Sequence, residues 1–269
     1  DPYTVKQRNL YREGDIAHYG ETIKDAAHIG SILEKLRVDS AWDERRKAVK
    51  VFNSCNKYLK KGLGMVPVKF GISFTAAHLN QGCALVHVYC DGSVSVSHGA
   101  IEMGQEVNTK IAQIAATNLG VPLRAIRIET NNSKRVANAP PTAASSGCDL
   151  NGHAVEDATR QIVARFKAFA KTIYEGQDVH FEDGNVYPMS ASGVDYEKPL
   201  STFKDFVKKA FMQRTNLSAQ GHYATPGVHF DREKGTGNPF LYYVFGAAVV
   251  EVTVDLLTGS TKVDSVHVI

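Results

Sequence analysis

The spacing of apolar residues changes near Gly62, and that change excludes a fold made only of helices or only of strands. Over residues 20–61, apolar side chains such as Ile23 and Leu36 recur at intervals of three or four, which is the period of a helix. Residues 62–74 then alternate between apolar and other side chains, which is the period of a half-buried strand. Both periods return later without an internal repeat, so the sequence predicts an α+β fold.

Hairpins and further helices are predicted in the rest of the chain. Asp91-Gly92 lies between two β-rich runs and favours a two-residue type I′ turn, whose central residues both need positive φ. The serines that alternate with Val94 and Val96 predict one polar face on the second strand. Helical spacing recurs over residues 107–119, 150–174 and 203–210. An apolar strand is still running at Ile269, so we expect a truncated polypeptide or a part of a longer one.

Composition excludes several classes of protein. The 269 residues are 43% hydrophobic and 22% charged, unlike a disordered or collagen-like chain. The longest apolar run, residues 240–250, is shorter than the roughly 20 residues that span a bilayer, so no membrane partner is expected. A dispersed net charge of +3 argues against a nucleic-acid partner.

The cysteines and histidines show no metal-ligand spacing. The four cysteines fit neither a zinc ribbon nor an iron–sulfur cluster, and the ten histidines form no ligand pattern. No signal peptide is recognisable at the start of the sequence. We therefore expect reduced, mostly buried thiols in a cytoplasmic protein.

A first candidate binding segment leaves a strand at His98 and enters a helix near Val107, with Gly99 and Gly104 between them. The first N–H groups of a helix lack partners within the helix, and its dipole favours negative charge there, so a phosphate or a pterin-type ring would fit this turn. The alternative is a tight connection in which the glycines only supply backbone freedom, and spacing alone favours that alternative.

Two further segments are candidates. Residues 138–149 enter the next helix, and the small side chains at 142–147 would let a ligand approach the backbone; a plain helix lead-in capped by Ser146 or Asp149 explains them equally well. At the end of a predicted strand, Phe74 and Thr75 would stack on and orient a planar substrate. Without further information, a core phenylalanine at a strand end is the simpler explanation.

At these segments the chain resembles the molybdenum-binding part of the xanthine dehydrogenase and aldehyde oxidase family, and it looks closest to xanthine dehydrogenase. The resemblance rests on stretches that occur in the expected order. They are KFGISFT at 69–75, LVHVYCDGSV at 85–94, EMGQ at 102–105 and PTAAS at 141–145, together with GAA at 246–248. Three shorter matches are Thr109-Lys110, Glu251-Val252 and Leu257-Thr258-Gly259. Each stretch is weak alone, but the combination is specific to this family.

The resemblance implies a molybdopterin-binding domain of the xanthine oxidase type, with mixed sheets and packed helices, truncated at one or both ends. Residues 1–61 would be a helical lead-in, and residues 62–269 would form the first part of the cofactor cradle and the substrate wall. The implied cofactor-binding residues are Met103, Gly104, Gln105, Ala143, Ala144, Ser145, Ser146, Gly147 and Cys148. Ala144 matches the position whose backbone lies near molybdenum, and Phe74 and Thr75 match a pair that contacts a planar heterocycle.

The activity implied by the resemblance is oxidation of a purine such as xanthine, from hypoxanthine through xanthine to urate, with water as the oxygen source. Electrons would pass to Fe–S clusters and FAD or NAD on partner chains or other segments, within a dimer of the complete assembly. No catalytic residue is expected in this chain, since the family's glutamate base would follow Ile269, and Glu102 and Glu251 belong to other motifs.

Two alternatives to purine oxidation stay open. One is an aldehyde oxidase of the same family. The other is a non-catalytic assembly fragment with a vestigial pterin pocket. That second alternative is suggested by Ala100 and Glu106, which stand where the family usually has glycine.

Overall fold

The structure is a computed structural model that describes residues 1–129 and 131–269, and it divides into two compact units. We call residues 1–72 with 228–269 the discontinuous unit, and residues 73–227 the continuous unit. Helices and strands are mixed in both, as expected for an α+β fold. The predicted division at residue 61, into a lead-in and a binding region, stays a prediction.

The described residues form helices and strands with the following bounds. The helices are α1 (Pro2–Arg8), α2 (Ala27–Asp39), α3 (Trp42–Cys55), α4 (Val107–Leu119), α5 (Gly147–Ile173) and α6 (Phe203–Met212). The strands are β1 (Leu59–Ile72), β2 (Gln81–Val88), β3 (Val94–His98), β4 (Ile126–Ile128), β5 (Asp178–Glu182), β6 (Asn185–Ser190), β7 (Gly193–Val194), β8 (Ser201–Thr202), β9 (Ser218–Ala224), β10 (His229–Asp231), β11 (Thr236–Asn238), β12 (Tyr242–Asp255) and β13 (Thr261–Val268).

A three-stranded antiparallel sheet, in the order β1-β12-β13, organises the discontinuous unit. Side chains of α2 and α3, including Leu36 and Trp42, pack on one face of this sheet against Met65 and Val249. The helical prediction over residues 20–61 was too broad at both ends, because α2 begins only at Ala27 and α3 ends at Cys55. Residues 59–61 already belong to β1.

A four-stranded sheet, in the order β4-β3-β2-β9, organises the continuous unit. Helices α4 and α5 pack on its apolar face, and α5 crosses β2 and β9 closely. A Cβ added at Gly221 would lie 1.9 Å from the Ala154 carbonyl oxygen, so only glycine fits at that crossing. The predicted helices at 150–174 and 203–210 correspond to α5 and α6, whose Phe166 and Phe206 rings contact each other edge to face.

The hairpin around Asp91-Gly92 forms, but not as a two-residue turn. Val88 pairs with Val94, so five residues connect β2 and β3. Gly92 has φ +85°, whereas Asp91 is not among the positive-φ residues, so the type I′ prediction was wrong. The Asp91 carboxylate instead accepts hydrogen bonds from the backbone N–H and the hydroxyl of Ser93.

The predicted polar face of β3 is covered rather than exposed. Ser95 and Ser97 are each only 3% exposed. Ser95 donates to the Glu129 carboxylate, and the Arg135 guanidinium donates to the Ser97 hydroxyl, at 3.3 and 3.5 Å. A segment far along the sequence therefore covers this face, which alternation within one strand could not reveal.

The four cysteines are free thiols, but none of them is buried. Cys55 is exposed and the other three are half-buried, so the expectation of mostly buried thiols was wrong. Cysteine spacing carries no information about burial when no disulfide or metal site fixes the residue's surroundings.

Within the described ranges, no helix combines the length and the apolar character that crossing a bilayer requires. This finding agrees with the short apolar runs in the sequence, of which residues 240–250 are the longest.

Candidate functional site

The two glycine- and small-residue segments before α4 and α5 lie against each other in the continuous unit. We call residues 99–106 the first loop and residues 131–146 the second loop. Buried Asn151 of α5 accepts a hydrogen bond from the Gly99 N–H at 2.8 Å and donates to the Gly147 carbonyl at 2.9 Å. The Ile101 N–H donates to the Thr142 hydroxyl at 2.9 Å. The structure therefore brings together the two segments that the sequence singled out.

Gly99 and Gly104 have different roles in the first loop. A Cβ added at Gly99 would lie 2.7 Å from the Ala139 side chain, so glycine allows the loops to approach each other. Gly104 has φ +92° and faces open space, where an added Cβ would meet no atom within 4 Å. Gly104 thus supplies backbone freedom at a position that leaves room for a ligand.

The carboxylate of Glu102 binds the start of α4. It accepts hydrogen bonds from the N–H groups of Gly104, Glu106 and Asn108, at 3.0, 2.9 and 3.1 Å. The hydrogen bond from Asn108 is the main cause that lowers the pKa of Glu102, which therefore stays ionised at neutral pH. The sequence prediction left these amides free for a phosphate, and in the structure the chain's own side chain occupies them.

Gln105 folds back onto its own loop while staying exposed. Its side-chain oxygen accepts from the Met103 N–H at 2.6 Å, and its side-chain nitrogen donates to the Ile101 carbonyl at 2.9 Å. An amide group has two hydrogens and two lone pairs, so one of each remains available to a ligand. The Lys110 ammonium donates to the Gln105 backbone carbonyl at 3.1 Å, which places a positive charge beside the loop.

The second loop turns sharply at Ala144 and Ser145, which have left-handed backbones with φ +53° and +54°. Such backbones cost about 1 kcal/mol or more for residues other than glycine and are concentrated at functional sites. The Ser146 hydroxyl donates to the Ala143 carbonyl at 3.2 Å and does not cap α5, so the predicted Ser146 cap was wrong.

Cys148 lies in the first turn of α5 and lines a groove between α4 and α5. This groove has a volume of about 510 Å³ and is also lined by Lys110, Gln113 and His153. Burial is the main cause that raises the pKa of Cys148, so the side chain is a neutral thiol at neutral pH. The predicted cofactor role of Cys148 stays a prediction.

His98 fixes the entry to the first loop and was missed by the sequence analysis as a site residue. It is 1% exposed, its Nε2 lies 3.0 Å from the Asn108 side-chain oxygen, and its Nδ1 accepts from the Ala100 N–H. These partners require a neutral ring with the proton on Nε2. Burial lowers the pKa of His98, which agrees with that tautomer.

Phe74 and Thr75 directly follow a strained residue in the continuous unit. Ser73 is buried and has φ +138°, Phe74 is half-buried and Thr75 is exposed. Among the described residues, no hydrogen bond joins Phe74 or Thr75 to either loop. Their predicted contact with substrate stays a prediction.

Glu251 belongs to an ion-pair cluster of the discontinuous unit. Its carboxylate lies 2.8 Å from the Arg45 guanidinium and 2.7 Å from the Lys61 ammonium. The hydrogen bond from Lys61 is the main cause that lowers the pKa of Glu251. Such a carboxylate is a weak proton acceptor and serves to join α3 to the sheet.

The sequence matches the family described as molybdopterin cofactor-binding domain over residues 35–269. It is 40% identical to xanthine dehydrogenase of Oryza sativa subsp. japonica over 100% of this chain and 18% of that protein. It is 39% identical to xanthine dehydrogenase of Emericella nidulans over 93% of this chain and 16% of that protein. The chain therefore spans less than a fifth of the length of these relatives.

Solved structures share the fold at low sequence identity. Quinoline 2-oxidoreductase from Pseudomonas putida 86 superposes with a TM-score of 0.77 and 21% identity, covering 100% of this chain and 34% of that chain. Aldehyde oxidoreductase from Desulfovibrio gigas superposes with a TM-score of 0.72 and 21% identity, covering 100% and 26%. These findings confirm the family resemblance and the α+β fold expected from it. The chain belongs to the molybdopterin cofactor-binding domain family, within a group of sequences related to xanthine dehydrogenases.

Proposed function

We propose that this chain forms part of the cofactor and substrate site of a molybdenum hydroxylase that oxidises a purine such as xanthine, with water as the oxygen source. The observation that carries the proposal is that the first loop is joined to the second loop through Thr142 and to the start of α5 through Asn151. Identity of about 40% to xanthine dehydrogenases over the whole chain supports the substrate class.

The chemistry and the space of the two loops fit molybdopterin. Open space lies over Gly104, Gln105 retains one donor and one acceptor, and residues 143–148 present mainly small side chains. Gly104 and Gln105 would contact the pterin and its phosphate, and the backbone at Ala144 would lie near the metal. When bound, the cofactor supplies a metal that acidifies water and accepts electrons.

Phe74 and Thr75 would orient the substrate. A half-buried aromatic ring offers an apolar edge or face to a planar heterocycle, and a neighbouring hydroxyl can both donate and accept hydrogen bonds. This pair combines one apolar anchor with one polar group, as is usual in small-molecule sites.

Other segments or subunits would complete the enzyme. We propose that Fe–S clusters and FAD on those parts receive the electrons, that a glutamate outside this chain acts as the general base, and that the complete assembly is a cytoplasmic dimer. Within this chain, Glu102 and Glu251 both have lowered pKa values and are engaged in hydrogen bonds, so neither suits proton abstraction.

Metal analysis and substrate assays of the purified complete enzyme test the proposal. About one molybdenum and one pterin for each copy of this chain, with turnover of hypoxanthine and xanthine, would support it. Turnover of aromatic aldehydes without turnover of xanthine would identify an aldehyde oxidase instead. A complex without molybdenum would identify an assembly fragment with a vestigial pocket.

A further inference from the structure

Asn80 holds the backbone of Phe74 from both sides. The Phe74 N–H donates to the Asn80 side-chain oxygen at 2.7 Å, and the Asn80 side-chain nitrogen donates to the Phe74 carbonyl at 2.8 Å. An N–H must meet the oxygen and a carbonyl must meet the nitrogen, so these two partners also fix the orientation of the amide. The Asn80 side chain thus makes the two backbone hydrogen bonds to Phe74 that a neighbouring strand would otherwise make.

The backbone of Asn80 is itself fixed by its surroundings. Its N–H donates to the Ala77 carbonyl at 3.0 Å and closes the short 3₁₀ turn Ala77–Leu79. Its carbonyl accepts from the N–H of Thr225, the residue directly after β9, at 2.9 Å. Strand β2 begins at Gln81, the residue directly after Asn80. Asn80 is 2% exposed, so its side chain has little freedom to change rotamer.

Phe74 needs such a support because no strand holds it. β1 ends at Ile72, and the chain then passes through left-handed Ser73 before it reaches Phe74. A non-glycine residue with this backbone is strained and persists only where its surroundings over-determine it. The two bonds from Asn80 are the hydrogen bonds that the Phe74 backbone makes among the described residues.

Asn53 provides an internal comparison. Its side chain holds Lys61 in the same way, accepting from the Lys61 N–H at 2.7 Å and donating to the Lys61 carbonyl at 2.9 Å. Lys61, however, lies within β1 and is also paired in register with Thr253. The Asn53 clamp therefore covers the edge of an existing strand, whereas the Asn80 clamp sets the position of a residue outside any strand.

We propose that Asn80 is a positioning residue that acts through Phe74, fixing the angle at which the aromatic ring meets a planar heterocyclic substrate. The inference rests on the proposed function, since it needs Phe74 to contact that substrate. An error of a fraction of an ångström in the Phe74 backbone is magnified at the ring, and binding geometry of this kind is sensitive to such errors.

Kinetics of the complete enzyme test this inference. Asn80→Ala is expected to raise the KM for xanthine about tenfold while kcat changes less than about threefold. In a Phe74→Ala background the same substitution should change KM less than about twofold, because the two residues act as one unit. Asn53→Ala, which removes a clamp of the same geometry elsewhere, should leave KM and molybdenum content unchanged.

An aspartate variant gives a readout that general loss of stability would not move. In Asn80→Asp, the ionised carboxylate can accept from the Phe74 N–H but repels its carbonyl, whereas the neutral acid can accept and donate as asparagine does. Burial raises the pKa of a carboxyl group, so lowering the pH from about 8 to about 6 should convert more of the introduced carboxylate to the neutral acid. The ratio of the KM of Asn80→Asp to the KM of the wild type should therefore fall over this range. Asn80→Ala should show no such recovery.

The outcomes separate this inference from the proposed function. A wild-type enzyme without molybdenum or turnover overturns both. An active wild-type enzyme whose Asn80→Ala variant keeps its KM, or in which Asn80→Ala and Phe74→Ala act additively, overturns the positioning role alone. A tenfold rise in KM that disappears in the Phe74→Ala background, with recovery of Asn80→Asp at low pH, establishes it.

Discussion

The first and second loops precede α4 and α5 in a similar way, yet the structure holds them by different means. The first loop is held largely by its own side chains, because Glu102 binds the start of α4 and Gln105 bonds to Met103 and Ile101. The second loop contains three left-handed residues, Asn138, Ala144 and Ser145, and its N-cap side chain does not bind α5. It instead contacts the first loop through Thr142. Residues 102–106 of the first loop are thus held mainly from within, whereas the start of that loop is bound to Asn151 and Thr142.

Removing the Asn151 side chain, which joins the first loop to α5, should have the largest effect. Asn151→Leu leaves the half-buried Gly99 N–H without its partner and removes a donor from the Gly147 carbonyl, so we expect the free energy of unfolding to fall by about 2 kcal/mol. Chemical denaturation measures the change. Asn118→Ala, which removes a single half-buried bond between α4 and Thr159 of α5, should cost only about 1 kcal/mol. Equal losses in the two variants would show that Asn151 has no special role.

Removing the predicted pterin-facing amide should affect binding more than folding. Gln105 is exposed, and Gln105→Ala removes both its bonds within the first loop and its free donor and acceptor. We expect molybdopterin binding to weaken about tenfold or more, because a ligand polar group loses its partner. Pterin released from the purified complete enzyme measures this. Full retention of pterin would contradict the assignment of Gln105.

Breaking the contact between the loops should loosen residues 142–146 more than residues 102–106. Thr142→Val is nearly isosteric, but it leaves the exposed Ile101 N–H without its acceptor. We expect a loss of about 0.5 to 1 kcal/mol in stability, and faster amide hydrogen exchange in residues 142–146 than in residues 102–106. Equally faster exchange in both loops would show that the first loop also depends on the second.

Acid should loosen the first loop through His98. The pKa of this buried ring is lowered from its ordinary value of about 6.5, so below that pH the unfolded chain takes up a proton that the folded chain resists. The stability that His98 contributes is therefore fully present above about pH 6.5 and is lost as the pH falls through the lower folded value.

Hydrogen exchange of Ala100, corrected for the intrinsic pH dependence, measures this effect. Protonation of Nδ1 removes the acceptor for the Ala100 N–H, so its protection should decrease in acid. A His98→Gln variant should lack the transition. A transition of equal size in that variant would assign it to another group.

Local patterns in the sequence predicted the elements well where neighbours along the chain decide the structure. The helical spacing of apolar residues in α4 and α5 is a local feature, and both helices were predicted. The two loops were also found, because small residues before a helix are a local signal. The burial of Ser95 and Ser97 was not, since their cover comes from Glu129 and Arg135, more than 30 residues later.

The contacts that shape the candidate site were missed for the same reason. Asn151 and Asn80 are single buried asparagines, and such a residue carries no motif that distinguishes it from an ordinary surface amide. Their partners were unknown until the fold placed Gly99 and Phe74 beside them. The binding roles of the predicted cofactor residues rest on the family resemblance. Spacing alone favoured a tight connection for the first loop, and it left a plain helix lead-in equally open for residues 138–149.

The bond between Gly99 and Asn151 spans 52 positions of the chain. During synthesis, the first loop emerges from the ribosome well before the residue that fixes it, and its final shape must wait until α5 has formed and docked. A fragment that stops short of α5 would carry every residue of both loops and still lack the cradle. On the proposed function, the chain should therefore take up cofactor only after α5 has docked.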